Sequence, residues 1–126
     1  MVDALIVEDD ETTRSVLAER LASDGFKAVA RPFASECRQF IANNGPPEVF
    51  VIDAVLPRAD GVAFGRELAD GYSGTVGVFL FNYRSRVDLS LSGQDATLLA
   101  VSERPGLEVF PSVDPERIAQ RMWRYV

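Results

Sequence analysis

The chain has no histidine, one cysteine and, among its 13 basic residues, one lysine, Lys27. Without imidazole there is no Ser-His-Asp or Cys-His nucleophile and no His general base, and no imidazole metal site. A bound metal would need oxygen ligands, which favours Mg²⁺, Mn²⁺ or Ca²⁺. The lone Cys37 excludes an intrachain disulfide and fits a reducing compartment. No apolar run approaches the roughly 18 residues a membrane span needs. The opening Met1-Val2-Asp3 puts an acid where a secretory signal carries a base, so secretion is not expected and a cytoplasmic protein is. A net charge of −6 argues against binding a nucleic-acid backbone, which calls for a basic face.

What is present suits one folded unit. At 126 residues, 47% hydrophobic and 25% charged, residues 1–126 read as a single domain with one real core. Ala4-Leu5-Ile6-Val7 is a short apolar run that stops abruptly at Glu8-Asp9-Asp10, as a strand buried on both faces does. Val16, Leu17 and Leu21 then recur at helical spacing up to Gly25, predicting a helix over residues 12–23. Residues 27–30 form a weak second strand. Ser35 is a candidate cap for a helix carrying Cys37, Phe40 and Ile41, which Asn43-Asn44-Gly45 ends. Val49-Phe50-Val51-Ile52 is a third strand, also ending in an acid, Asp53. A turn at Asp60-Gly61 precedes a short helix with Val62, Phe64 and Leu68. Residues 76–81 form a fourth strand. Residues 83–95 have no clear period, and residues 96–101 suit helix or strand equally. Leu107-Glu108-Val109-Phe110 reads as a short strand, and Asp114-Pro115 opens a last helix with Ile118, Met122 and Trp123 on one face.

Strands alternating with helices predict an α/β fold, a doubly wound parallel sheet with right-handed crossovers. Such sheets carry their sites at the C-terminal strand edge. Glu8, Asp9 and Asp53 would converge there. Three carboxylates that close stay ionised only around a cation, or else one takes up a proton. Mg²⁺ with carboxylates, a backbone carbonyl and waters is the natural solution. The competing reading is that each acid merely ends a strand in solvent.

Two segments then carry a family resemblance. Leu5-Ile6-Val7-Glu8-Asp9-Asp10 resembles the first strand and acidic pair of bacterial two-component receiver domains. Asp53-Ala54-Val55-Leu56-Pro57-Arg58-Ala59-Asp60-Gly61 resembles their phosphoacceptor segment, an Asp with a Pro four positions on and an Asp-Gly pair ending eight positions on. The match covers residues 4–68 best. It implies a flavodoxin-like five-stranded sheet of order 2-1-3-4-5, and a response regulator receiver domain in a phosphorelay. Asp53 would accept a phosphoryl group from a histidine kinase. Glu8, Asp9, Asp53 and the backbone carbonyl of Val55 would hold Mg²⁺. The implied partners are a sensor histidine kinase or phosphotransfer protein, a downstream protein or output domain, and a second copy of the chain. The domain would not be an enzyme beyond its own phosphotransfer and dephosphorylation, and with no histidine it cannot itself be the phosphohistidine donor.

The sequence departs from the family at two places. Asn82 stands where receivers carry Thr or Ser, followed by Tyr83 where a small residue is usual. The Lys that ends the fifth strand is replaced by Phe110-Pro111 in one alignment, favoured by the strand-like residues before it, or by Arg104-Pro105 in another. The family's switch aromatic falls on Leu107 or Val101, and neither is aromatic. These losses make a phosphorylation-independent pseudo-receiver, acting as a protein-interaction module, the main rival, with residues 83–106 as a candidate partner surface. A haloacid-dehalogenase-type phosphatase would need Asp-x-Asp after the first strand. A flavin carrier would need Ser, Thr and Gly there, and three acids would repel its phosphate. Among the remaining residues, Cys37 and Trp123 are expected to pack in the core, and Arg84 and Arg86 to face solvent.

Overall fold

The computed structural model describes residues 1–82 and 104–126. The elements are β1 (Ala4–Val7), α1 (Glu11–Ser23), β2 (Ala28–Arg31), α2 (Ala34–Asn44), β3 (Val49–Asp53), a small antiparallel ribbon of β4 (Val55–Leu56) and β5 (Ala59–Asp60), α3 (Gly61–Tyr72), β6 (Gly77–Phe81), β7 (Leu107–Val109) and α4 (Pro115–Met122). The main sheet is wholly parallel, in the order β2-β1-β3-β6-β7. Counting only its own five strands, that is the expected 2-1-3-4-5. The expectations for residues 83–103, including Tyr83, Arg84, Arg86 and Val101, lie outside the described residues.

Alternation along each strand feeds two cores. Leu5, Val7, Phe50, Ile52, Val78, Leu80 and Leu107 face α2 and α3, against Cys37, Phe64 and Leu68. Ala4, Ile6, Val49, Val51, Phe79, Phe81 and Phe110 face α1 and α4, against Leu17, Leu21, Ile118 and Met122. Phe50, Phe79 and Phe81 are fully buried, and each such ring contributes about 1.5–3 kcal/mol by leaving water.

The helix starts follow from local chemistry. Asp10 caps α1, its Oδ2 accepting from the Thr13 amide at 2.8 Å and the Thr13 hydroxyl at 2.7 Å. Asp114 caps α4, with Pro115 in the first turn. Ser35 does not cap α2. That helix begins two residues earlier than a Ser35 cap would place it, at Ala34 behind Phe33, with no side-chain cap.

One core assignment, Trp123, is corrected, and one helically spaced apolar residue of α1 lies outside the core. Val16 is exposed, because α1 turns Leu17 and Leu21 to the sheet and Val16 falls beside that stripe. Trp123 is 63% exposed and packs its ring at a tilt on Phe26, centroids 4.6 Å apart. α4 ends at Met122, so the helical period does not carry Trp123 inward. Tyr125 takes that place against Phe79, and its hydroxyl donates to Glu108 Oε2 at 2.8 Å. Burial, then this bond to Glu108, pushes the Tyr125 hydroxyl up to about 12. Arg121 Nε also reaches Glu108, at 2.6 Å, so α4 is tied to the middle of β7.

Cys37 is fully buried, as expected, and burial pushes its thiol up to about 12. A thiolate is the reactive species. Native protein at pH 8 is therefore expected to alkylate with iodoacetamide at least about a hundredfold more slowly than urea-unfolded protein, measured by intact mass. Equal rates would place Cys37 at the surface.

Candidate functional site

Strand register builds the site. Val7 pairs with Ile52, and Asp53 with Phe81. Glu8 and Asp53, each at a strand's C-terminal end, are therefore brought side by side, with Asp9 at the mouth. One carboxylate oxygen from each of Glu8, Asp9 and Asp53 lies within 4.8 Å of the others. Glu8 is 3% exposed and Asp53 5%, while Asp9 is exposed. The sequence-predicted triad is thus brought together. Asp10, the third acid of the run, turns away to cap α1, and the Thr13 hydroxyl, with the Thr13 amide behind it, lowers its carboxyl below the ordinary value.

Glu8 Oε1 accepts from the Asp10 amide at 2.9 Å. Its Oε2 is buried with no hydrogen-bond donor. Asp53 cannot supply one, because two ionised carboxylates only accept. The pair can share a proton or a cation. Burial above all, then the hydrogen bond to Asp53 and its charge, raise the Glu8 carboxyl from 4.5 to about 9. An orphaned, buried carboxylate oxygen beside two further carboxylates is a donor set that fits a hard divalent ion.

Asp53 is held from two sides. Its Oδ1 accepts from the Val55 amide at 2.8 Å and from Asn82 Nδ2 at 3.3 Å. Asn82 has φ +60°, a left-handed backbone that asparagine tolerates. The Ala54 amide donates to Phe81 O at 2.8 Å, which keeps the end of β3 against β6. Val55 follows in the ribbon, so its carbonyl belongs to the same loop.

At the end of β7 the structure has Phe110. Its amide donates to Leu80 O at 2.7 Å, and its ring packs on Phe79, centroids 5.3 Å apart. Arg104 lies before β7, where its Nε pairs with Asp70 at 3.1 Å, at the opposite sheet edge from the acids. The geometry therefore favours the alignment in which Phe110-Pro111 occupies the Lys-Pro position. Leu107, in the switch-aromatic position, is buried in the core.

Two contributors were not recognised in the sequence. Gly61, read as part of a turn and of the Asp-Gly pair after Asp53, brings the start of α3 onto β3. A Cβ there would lie 2.1 Å from Asp53 O and 2.8 Å from Ala54 O. Arg14, in the first turn of α1, donates through Nη1 to Glu8 O at 3.0 Å and to Asp9 O at 3.2 Å. The Asp-Gly spacing after Asp53 signalled the first; the place of Arg14 in the first helix fits the family resemblance, but its backbone partners left no sign in the sequence.

No family model matches the chain. Among curated proteins it is 30% identical over 95 residues to response regulator MprA of Mycobacterium sp. (strain KMS), covering 75% of this chain and 40% of that one. It is 34% identical over 82 residues to the transcriptional regulatory protein CseB of Streptomyces avermitilis, covering 64% and 33%. Among solved structures, the signal receiver domain of a signal transduction histidine kinase from Syntrophus aciditrophicus superposes with a TM-score of 0.74 at 22% identity, covering 99% of this chain and 89% of that one. The relatives are response regulators, and the fold is that of their receiver domains. Over the matched residues the chain is similar to response regulators, and it shares the receiver-domain fold. It spans 40% or less of the length of these two curated relatives. Among the described residues no helix is long and apolar enough to cross a membrane.

Proposed function

We propose that residues 1–126 form one receiver domain that accepts a phosphoryl group on Asp53 from the phosphohistidine of a sensor kinase or phosphotransfer protein, in the cytoplasm. The observation that carries this is the convergence of Glu8, Asp9 and Asp53 around a buried carboxylate oxygen with no donor. Both described hydrogen bonds to Asp53 fall on Oδ1, so Oδ2 is the oxygen presented for attack. It forms the new bond to phosphorus as the donor's P–N bond breaks and the imidazole leaves.

Glu8, Asp9, Asp53 and the Val55 carbonyl would hold Mg²⁺. Bound there, the ion supplies positive charge to the equatorial phosphoryl oxygens, where phosphoryl transfer is mostly positioning and neutralisation. Asn82 Nδ2, already directed at Asp53, is the side-chain donor available to the same oxygens. With Phe110 packed in the core, the Lys contribution is missing. Loss of one preorganised donor costs about 2.7–4 kcal/mol, or roughly 10²–10³ in rate, so phosphotransfer is expected to be slow rather than absent. The domain would signal through a protein partner or an attached output domain.

The test is intact-protein mass after incubation with a small phosphodonor and Mg²⁺. One added phosphoryl group is expected, absent in Asp53→Asn and without the metal. An unmodified wild type after prolonged incubation, with no Mg²⁺ binding by calorimetry, would sink the proposal and favour a phosphate-independent interaction module.

A further inference from the structure

Arg14 sits where a helix least favours a cation. The free amides at the start of α1 carry partial positive charge, and acids are the residues that suit that end. The sequence supplies them in Asp9, Asp10 and Glu11, and then places one arginine beside them. Its guanidinium does not extend into solvent. Helical side chains lean toward the N-terminus, so Arg14 folds back over the cap and lies half-buried.

There it donates to Glu8 O and Asp9 O, at 3.0 and 3.2 Å. Both carbonyls lie beyond the last paired residue of β1. Among the described hydrogen bonds, the guanidinium is the donor each receives. The two peptides it holds are those that carry the Glu8 and Asp9 carboxylates toward Asp53. We infer that Arg14 is a positioning residue of the acidic pocket, its guanidinium clamping the β1–α1 junction so that the Glu8 and Asp9 carboxylates stay aimed at Asp53. This inference rests on the reading of that pocket as a divalent-cation site.

The direction of the effect separates a clamp from a charge. Removing a positive group from beside three carboxylates would, by Coulomb interaction alone, tighten a divalent cation. Removing a clamp loosens it. Residues that orient metal ligands typically affect affinity about 10–100-fold. Calorimetric titration of the 126-residue chain with Mg²⁺ is therefore compared for wild type, Arg14→Met and Arg14→Lys, beside thermal unfolding of each metal-free protein.

Arg14→Met is expected to bind Mg²⁺ about tenfold more weakly while still unfolding cooperatively near the wild-type midpoint. Arg14→Lys keeps the charge but replaces the planar, weakly hydrated guanidinium by a compact, strongly hydrated ammonium on a more flexible stem, and is expected to weaken binding about threefold. Amide exchange at Asp10, whose N–H bonds Glu8 Oε1, should quicken in both variants. If Arg14→Met binds Mg²⁺ as tightly as wild type, or more tightly, the clamp is overturned. Should Arg14→Met not fold, wild-type affinity in Arg14→Lys overturns it instead. A wild type that does not bind Mg²⁺ removes the underlying cation-site reading, an outcome seen before any variant is made.

Discussion

Replacing Gly61 with alanine is expected to destabilise the domain by about 3 kcal/mol or more. The new methyl would meet backbone, at 2.1 Å from Asp53 O and 2.8 Å from the carbonyl carbon and oxygen of Ala54. Flexible side chains can yield to such a contact; a strand end held by the Ala54–Phe81 hydrogen bond cannot yield without moving Asp53. The cost therefore falls on the site as well as on stability. Gly71, near the other end of α3, provides the control, since a Cβ there meets nothing within 4 Å. Gly71→Ala should stabilise by about 0.5–1 kcal/mol through helix propensity and a less free unfolded chain. Urea unfolding measures both as midpoint shifts at constant slope. Equal midpoints for the two variants would show that α3 does not press on β3 as described.

The second large effect is on Glu8. Its carboxyl rises from 4.5 to about 9 in the folded, metal-free protein. Between those values the native state holds a proton that the unfolded state has released. Stability must then fall as pH rises, because the native state binds more protons. The contribution is fully present below the unfolded value near 4.5, and is lost by about 9. Its size is on the order of a few kcal/mol. Glu8→Gln keeps an acceptor for the Asp10 amide and gains a donor for Asp53. The variant is expected to be the more stable protein at pH 8 without metal, with a nearly flat profile from pH 5 to 9. Saturating Mg²⁺ should reverse the order, since a ligand at 100 times its Kd adds about 2.7 kcal/mol to the protein that binds it. Metal binding by the wild type near pH 7 should also release about one proton, readable by calorimetry in buffers of differing ionisation enthalpy. A wild type whose metal-free stability does not change between pH 5 and 9 would mean that Glu8 stays ionised in the fold.

Much of this architecture was legible because a parallel sheet writes itself plainly. β1, β3 and β6 are buried on both faces, so they appear as unbroken apolar runs. The ends of β1 and β3 are marked by the acids that form the site, and Asn82 follows β6. Once the strand order was expected, Glu8, Asp9 and Asp53 had to meet. The ends of helices were harder. Trp123 follows the last turn of α4, where periodicity no longer applies, and the tie of Tyr125 and Arg121 to Glu108 leaves no place for it in the core. Val16 lies one step from a stripe of only two buried residues, Leu17 and Leu21, too narrow for its edge to be read from spacing. Arg14 was beyond sequence reasoning for another reason. Its partners are backbone carbonyls, which every residue has, so no residue type announces the contact.

The exposed Trp123 also sets how the molecule can be observed. It is the chain's single tryptophan. It packs on Phe26 and follows α4, while the acidic pocket lies at the carboxyl ends of β1 and β3 and has no indole of its own. Intrinsic emission therefore starts from a largely hydrated chromophore and reports the seam between the α1–β2 turn and the chain's last residues. A cation bound at the acidic pocket would be optically silent unless its effect travelled across the sheet to that seam, so a titration followed by fluorescence would read transmission and one followed by heat would read occupancy.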